Sequence, residues 1–146
     1  MRYSLNQIEK VFSDLANSHQ QINSFGYGDI DQINISGNTE YPLMYVVLMP
    51  QGSNVSGKNV NLNYSFLFID KADHNNIQEV ESDMLQVALD IRASLNNPVY
   101  DDYFSLNDNS SIDFFNERFE DVVAGVNMGI TLTVLDLKDR CQIPTE

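Results

Sequence analysis

The stretch Val122-Val123-Ala124-Gly125-Val126-Asn127-Met128-Gly129-Ile130-Thr131-Leu132-Thr133-Val134 decides the fold of this chain. Val122, Ala124, Val126, Met128, Ile130, Leu132 and Val134 are apolar, while Gly125, Asn127, Gly129, Thr131 and Thr133 of the intervening set are small or polar. Successive side chains of an extended strand point to opposite faces, so a period of two describes a long strand with one face buried. Such a strand needs neighbours, and the chain supplies them. From Val60 to Asp70, Leu62, Tyr64, Phe66 and Phe68 share one face; Asn61, Asn63 and Ser65 begin the other before Leu67 and Ile69 turn it apolar. Tyr41 to Met49 is apolar on both faces and reads as a central strand, with Pro42 at its start or at an edge. Ile30, Ile33 and Ile35 form a short strand closed by the turn cluster Ser36-Gly37-Asn38-Thr39, and Ile112 to Phe119 forms another.

Two segments carry the helical period instead. Between Ser4 and Asn23, Ile8, Val11, Phe12, Leu15, Ala16, His19 and Ile22 recur at three- and four-residue spacing. The glycines of Ser24-Phe25-Gly26-Tyr27-Gly28-Asp29 end that helix. In the second, Ile77, Val80, Met84, Val87, Ala88, Ile91 and Leu95 form one stripe. Asn76 and Glu79 predict a capping box at its start, and Asn96-Asn97-Pro98 stops it. The expected order is α-β-β-β-α-β-β. The fold class is α+β: a mostly antiparallel five-stranded sheet with two helices packed together on one face. Residues 1–146 read as a single domain with a hairpin tip at 50–59, a loop arm at 99–111 and a short tail at 138–146.

Composition limits what this domain can do. Its 146 residues are 42% hydrophobic and 20% charged, which suits one self-sufficient core. No apolar run approaches the ~20 residues of a membrane span, so no membrane partner is expected. The opening Met1-Arg2-Tyr3-Ser4 leads straight into a polar amphipathic segment, and residence inside a cell is the expectation. Cys141 is the single cysteine, so neither an internal disulfide nor a multi-cysteine metal site is available. Twenty-one acidic against eight basic residues give a formal charge of −13, a field that repels phosphate backbones and favours basic protein surfaces.

No group reads as an active site. Nucleophilic catalysis needs an aligned base, but His19 lies on a helix stripe and His74 beside a helix start. Asp70-Lys71-Ala72-Asp73-His74-Asn75 resembles a calcium loop superficially and puts Asn75 where that loop needs glycine. Asp101, Asp102, Asp108 and Asp113 fall in polar segments and read as solvated rather than as a metal site or paired carboxylates. Gly26, Gly28 and Gly37 are spaced for turns, with no lysine following to make a phosphate cradle. No catalytic, cofactor-binding or metal-binding residues are therefore assigned, and no enzyme activity or cofactor is expected.

Several stretches resemble phage neck and tail-completion proteins similar to tail terminators, as in phages of Bacteroidetes of the crAss-like kind. They are Gln21 to Asp29, Tyr41-Pro42-Leu43-Met44, Val46-Val47, Phe68-Ile69-Asp70, Glu81-Ser82-Asp83-Met84-Leu85, Ala124-Gly125-Val126 through Val134, and Cys141-Gln142-Ile143-Pro144. The resemblance implies a virion structural protein, assembled in the host bacterial cytoplasm. It would form a six-fold or twelve-fold homo-oligomeric ring between portal and tail, contacting neighbouring neck, portal or tail proteins. DNA would pass through without specific binding, and an acidic bore would suit that passage. From the residues alone, a small acidic adaptor binding one basic partner through the 99–111 arm is the alternative.

Overall fold

The computed structural model describes residues 4–28, 40–73, 75–100, 104–118 and 122–135. Helix α1 (Leu5–Ser18) leads into strand β1 (Ser24–Tyr27) and then β2 (Leu43–Leu48). A hairpin of β3 (Asn54–Ser56) and β4 (Asn59–Lys71) precedes helix α2 (Ile77–Leu95). A 3-10 turn (Pro98–Tyr100), β5 (Ser105–Leu106), β6 (Ser111–Arg118) and β7 (Val122–Leu135) follow. The class is α+β as the sequence predicts, but the sheet is seven-stranded and mixed.

The sheet is built on β4 and β7, which pair antiparallel from Asn59↔Leu135 to Lys71↔Val123. On one side β2 joins β4 antiparallel and β1 joins β2 parallel. On the other side β5 and β6 both pair antiparallel with β7, side by side along its length. Three strands lie where the sequence reading has none. Residues 24–27, where the glycines predict a helix stop, are extended because Asn23 and Ser24 are tied to the segment leading into β2. Asn23 Nδ2 donates to the Tyr41 carbonyl at 2.5 Å, and the Ser24 hydroxyl to that of Glu40 at 2.6 Å. The 50–59 tip is in part strand: β3 pairs with the first residues of β4 around Gly57, whose φ of +61° fits the first central position of a two-residue hairpin turn. Within the 99–111 arm, Ser105 and Leu106 add two rungs to β7. The predicted strand over 30–35 and the 138–146 tail lie outside the described residues.

Both helices cover the same sheet face. Ile8, Val11, Phe12 and Ala16 of α1, and Val80, Met84, Val87, Ala88, Ile91 and Leu95 of α2, pack on the face that carries Met44, Val46, Leu62, Tyr64, Phe66, Phe68 and the alternating set Ala124 to Val134. Phe12 meets Tyr64 and Phe66 edge to face, with centroids 5.1 and 4.8 Å apart. Such pairs add roughly 0.5–1.5 kcal/mol each beyond burial. On the opposite face, Leu43, Tyr45, Val47, Leu67, Ile69 and Val123 form a second buried cluster. That face turns polar toward the β3 end: the Ser65 hydroxyl donates to Asn127 Oδ1, and the Thr133 hydroxyl to Asn61 Oδ1 at 2.7 Å. The switch from polar to apolar along β4, legible in its sequence, is where this second cluster begins.

Helix starts differ from the expectation. The capping box expected on α2 is found on α1 instead: the Ser4 hydroxyl accepts from Gln7 N at 3.2 Å, and Gln7 Oε1 accepts from Ser4 N at 2.9 Å. Asn76 stands at the start of α2 without a side-chain cap, because its Oδ1 is taken by the Asp73 N–H at 2.6 Å.

Candidate interaction surfaces

Among the described residues, the titratable and metal-ligating side chains singled out in the sequence each serve a separate local contact. His19 caps the C-terminal end of α1. Its Nδ1 accepts from the Gln21 N–H at 3.1 Å, which leaves Nε2 as the protonated nitrogen of the neutral ring, donating to Asp90 on α2 at 3.0 Å. The imidazole thus latches one helix to the other. Asp73 Oδ1 accepts from the backbone N–H groups of Asn75 and Asn76 at 2.7 and 3.1 Å, a local turn before α2. Counted from Asp70, Glu81 does occupy the twelfth position of a calcium loop. Asp70 and Lys71 nonetheless end β4 and Glu81 lies inside α2, so the segment is strand, turn and helix instead of a ligand loop. Asp108 contributes its backbone carbonyl to Arg92 at 2.8 Å, and Asp113 sits on β6 opposite Asn127. Gly26 lies under the Tyr45 ring, and Gly28 donates its N–H to the Val46 carbonyl at 3.2 Å. His74, Asp101, Asp102, Gly37 and Cys141 lie outside the described residues. Among the described residues, no three His, Cys, Asp or Glu side chains form a group able to hold a metal ion. No described helix is long and apolar enough to cross a membrane.

Two open clefts flank α1. The first, of about 360 Å³, lies between the end of α1, Pro42 and α2, and brings Asp70 and Asp83 together among Gln20, Gln21 and Asn23. Burial raises the Asp70 carboxyl above its usual value; the Lys71 N–H, 2.8 Å away, opposes the shift, and the charge of Asp83 adds to it. The second cleft, of about 320 Å³, is lined by Leu5, Asn6, Glu9, Tyr27, Gly28 and Leu48. Behind Tyr27 lies the buried Tyr64, whose hydroxyl approaches that of Tyr27 without reaching a satisfactory hydrogen bond. Burial, then the neighbouring Tyr27, pushes the Tyr64 phenol well up; burial likewise raises Tyr27, partly offset by the Tyr64 hydroxyl.

The described part of the 99–111 arm is held against the body. Phe104 is buried and stacks on Tyr100 with centroids 5.5 Å apart, while Arg92 donates to the Ser110 hydroxyl at 3.0 Å and to the Asp108 carbonyl. Among the described residues, the surface includes the one-side-paired strand β6 and large apolar side chains such as Leu89 on α2, Phe114 on β6 and Val55 in the β3 hairpin. Nothing in the sequence marks these positions, since an apolar residue on a strand or helix carries no sign of exposure until its neighbours are placed. A scan against protein-family models finds no match to this chain, and a search of curated proteins finds none either.

Proposed function

We propose that this chain is a virion structural protein, a subunit of a ring in a phage neck or tail that joins portal-side proteins to the tail and lets DNA pass. The observation that carries the reading is the open sheet. Among the described residues β6 pairs on one side only, with β7, along all eight of its residues. An edge of unpaired N–H and C=O groups is a template for another chain, and a closed ring satisfies it at a defined partner. Phe114 on this edge and Leu89 on the adjacent helix offer the apolar area that such a contact buries. The formal charge of −13 supports the same reading, because it keeps free subunits apart from nucleic acid and soluble before assembly. The resemblance to tail terminators supplies the setting.

The adaptor alternative rests on the 99–111 arm, whose described part is held against the body by Phe104 and the Arg92 clasp. Native mass spectrometry and electron microscopy of the purified chain, alone and co-expressed with the products of neighbouring genes, test the proposal. Closed rings of six or twelve copies are expected. A chain that stays monomeric under both conditions, or captures one basic protein in a one-to-one complex, refutes it.

A further inference from the structure

We infer that copies of this chain join head to tail through two unlike apolar seams on opposite flanks of the helical face, with Glu9 of one copy meeting Arg92 of the next. This deepens the ring reading above and rests on it. The first seam lies where α1 meets β1 and β2. Leu5, 38% exposed, stands there with Leu48 and Tyr27 around the open cleft, and Glu9 is the carboxylate among them. The second seam lies where α2 flanks β6. Leu85, Leu89 and Arg92 succeed one another at helical spacing, and Arg92 donates to the hydroxyl of Ser110, the residue before β6. α2 and β6 are in contact, and Leu85 and Ile112 both pack at the margin of the core. Leu89 is 45% and Phe114 53% exposed.

Charge decides how the seams pair. In a chain of −13, most surfaces repel their own copies. The second seam offers a cation whose guanidinium is held in place by the Ser110 hydroxyl and the Asp108 carbonyl and forms no ion pair with a carboxylate among the described residues. Of the acidic residues beside it, Asp90 next to Leu89 is engaged by His19 at 3.0 Å, and Asp113 between Ile112 and Phe114 belongs to the opposite sheet face. The first seam offers a carboxylate. A seam placed on its own copy sets Glu9 against Glu9 or Arg92 against Arg92, and like charges across an interface suppress that pairing. First seam on second seam matches both the apolar area and the sign. An interface between unlike patches is heterologous, and a heterologous contact generates rings when its rotation closes.

The test uses the full chain with Leu5→Asp, which blocks the first seam at an exposed position in the first turn of α1, and Leu89→Asp, which blocks the second. Far-ultraviolet circular dichroism and melting temperature verify that both variants fold. Sedimentation is expected to show an oligomer for the wild type, a monomer for each variant, and a dimer, no larger, when the two variants are mixed, since each retains one complementary seam. Glu9→Arg and Arg92→Glu are each expected to weaken wild-type association at least ten-fold and, combined in one chain, to recover most of it. Variants that assemble as the wild type does, or a mixture that stays monomeric, overturn the inference while leaving the ring reading standing if the wild type forms rings. A mixture that forms dimers beside a wild type that grows open chains sustains the inference and overturns the ring. A monomeric wild type overturns both.

Discussion

Gly125 lies at the closest approach of the two central strands, and replacing it with alanine tests the packing of the whole sheet. It stands opposite Ile69 in the β4–β7 ladder. A Cβ built there runs into the Phe68 carbonyl oxygen, with the Phe68 carbonyl carbon 2.9 Å and Ile69 Cα 3.2 Å away. All three are backbone atoms of a strand paired on both sides, so none can rotate aside. β4 and β7 must part locally, which costs about 1–3 kcal/mol of overpacking and about 1 kcal/mol for each ladder hydrogen bond that lengthens. The lower backbone entropy of alanine in the unfolded chain returns about 0.4–1 kcal/mol. The expected net loss is about 2–3 kcal/mol, or roughly 5–10 °C in melting temperature for a chain of this size. Gly129→Ala is the control on the same strand. Its methyl meets only the Ser111 hydroxyl, a side chain on an edge strand that can turn away. That variant should stay within about 1 kcal/mol of wild type. Urea and thermal unfolding followed by circular dichroism measure both. Equal stabilities for the two variants would refute the close contact and the register that produces it.

Two further substitutions probe the groups around α1. Tyr64→Phe removes a buried hydroxyl with no satisfactory partner, so the variant should be as stable as wild type or up to about 1 kcal/mol more stable; in urea unfolding, a loss of more than about 1 kcal/mol would mean that the hydroxyl is bonded to Tyr27. Asp70→Asn keeps an acceptor for the Lys71 N–H and removes the ionisation. Because the folded carboxyl lies above its unfolded value, its stabilising contribution is present below that unfolded value and fades as pH rises through the folded one. The melting temperature of the variant minus that of wild type should therefore be larger at pH 7 than at pH 4, and a difference that is constant or shrinks with rising pH contradicts the burial of Asp70.

Much of the architecture is written in local periodicity. The alternation from Val122 to Val134, the stripe from Ile77 to Leu95, and the change along β4 from Asn61, Asn63 and Ser65 to Leu67 and Ile69 each predict which side chains enter which core. These segments are long, and a period repeated many times outweighs the ambiguity of any single residue. The Ser4–Gln7 box was equally readable, since a serine with glutamine three residues on, just before an apolar run, is a start signal in its own right.

Tertiary structure alone decided the rest. The residues of β1, β3 and β5 are too few to establish a period, and they are extended because a neighbouring strand offers them backbone partners. Asn76 has the chemistry of a helix cap, but the Asp73 N–H reaches its oxygen first. Leu5 and Glu9 on α1, Leu89 and Arg92 on α2, and Phe114 on β6 belong to three separate segments and have no common signature in the sequence. Exposure and the sign of a surface are properties of what stands beside a residue in space, and the candidate surfaces came into view only once the helices were laid across the sheet.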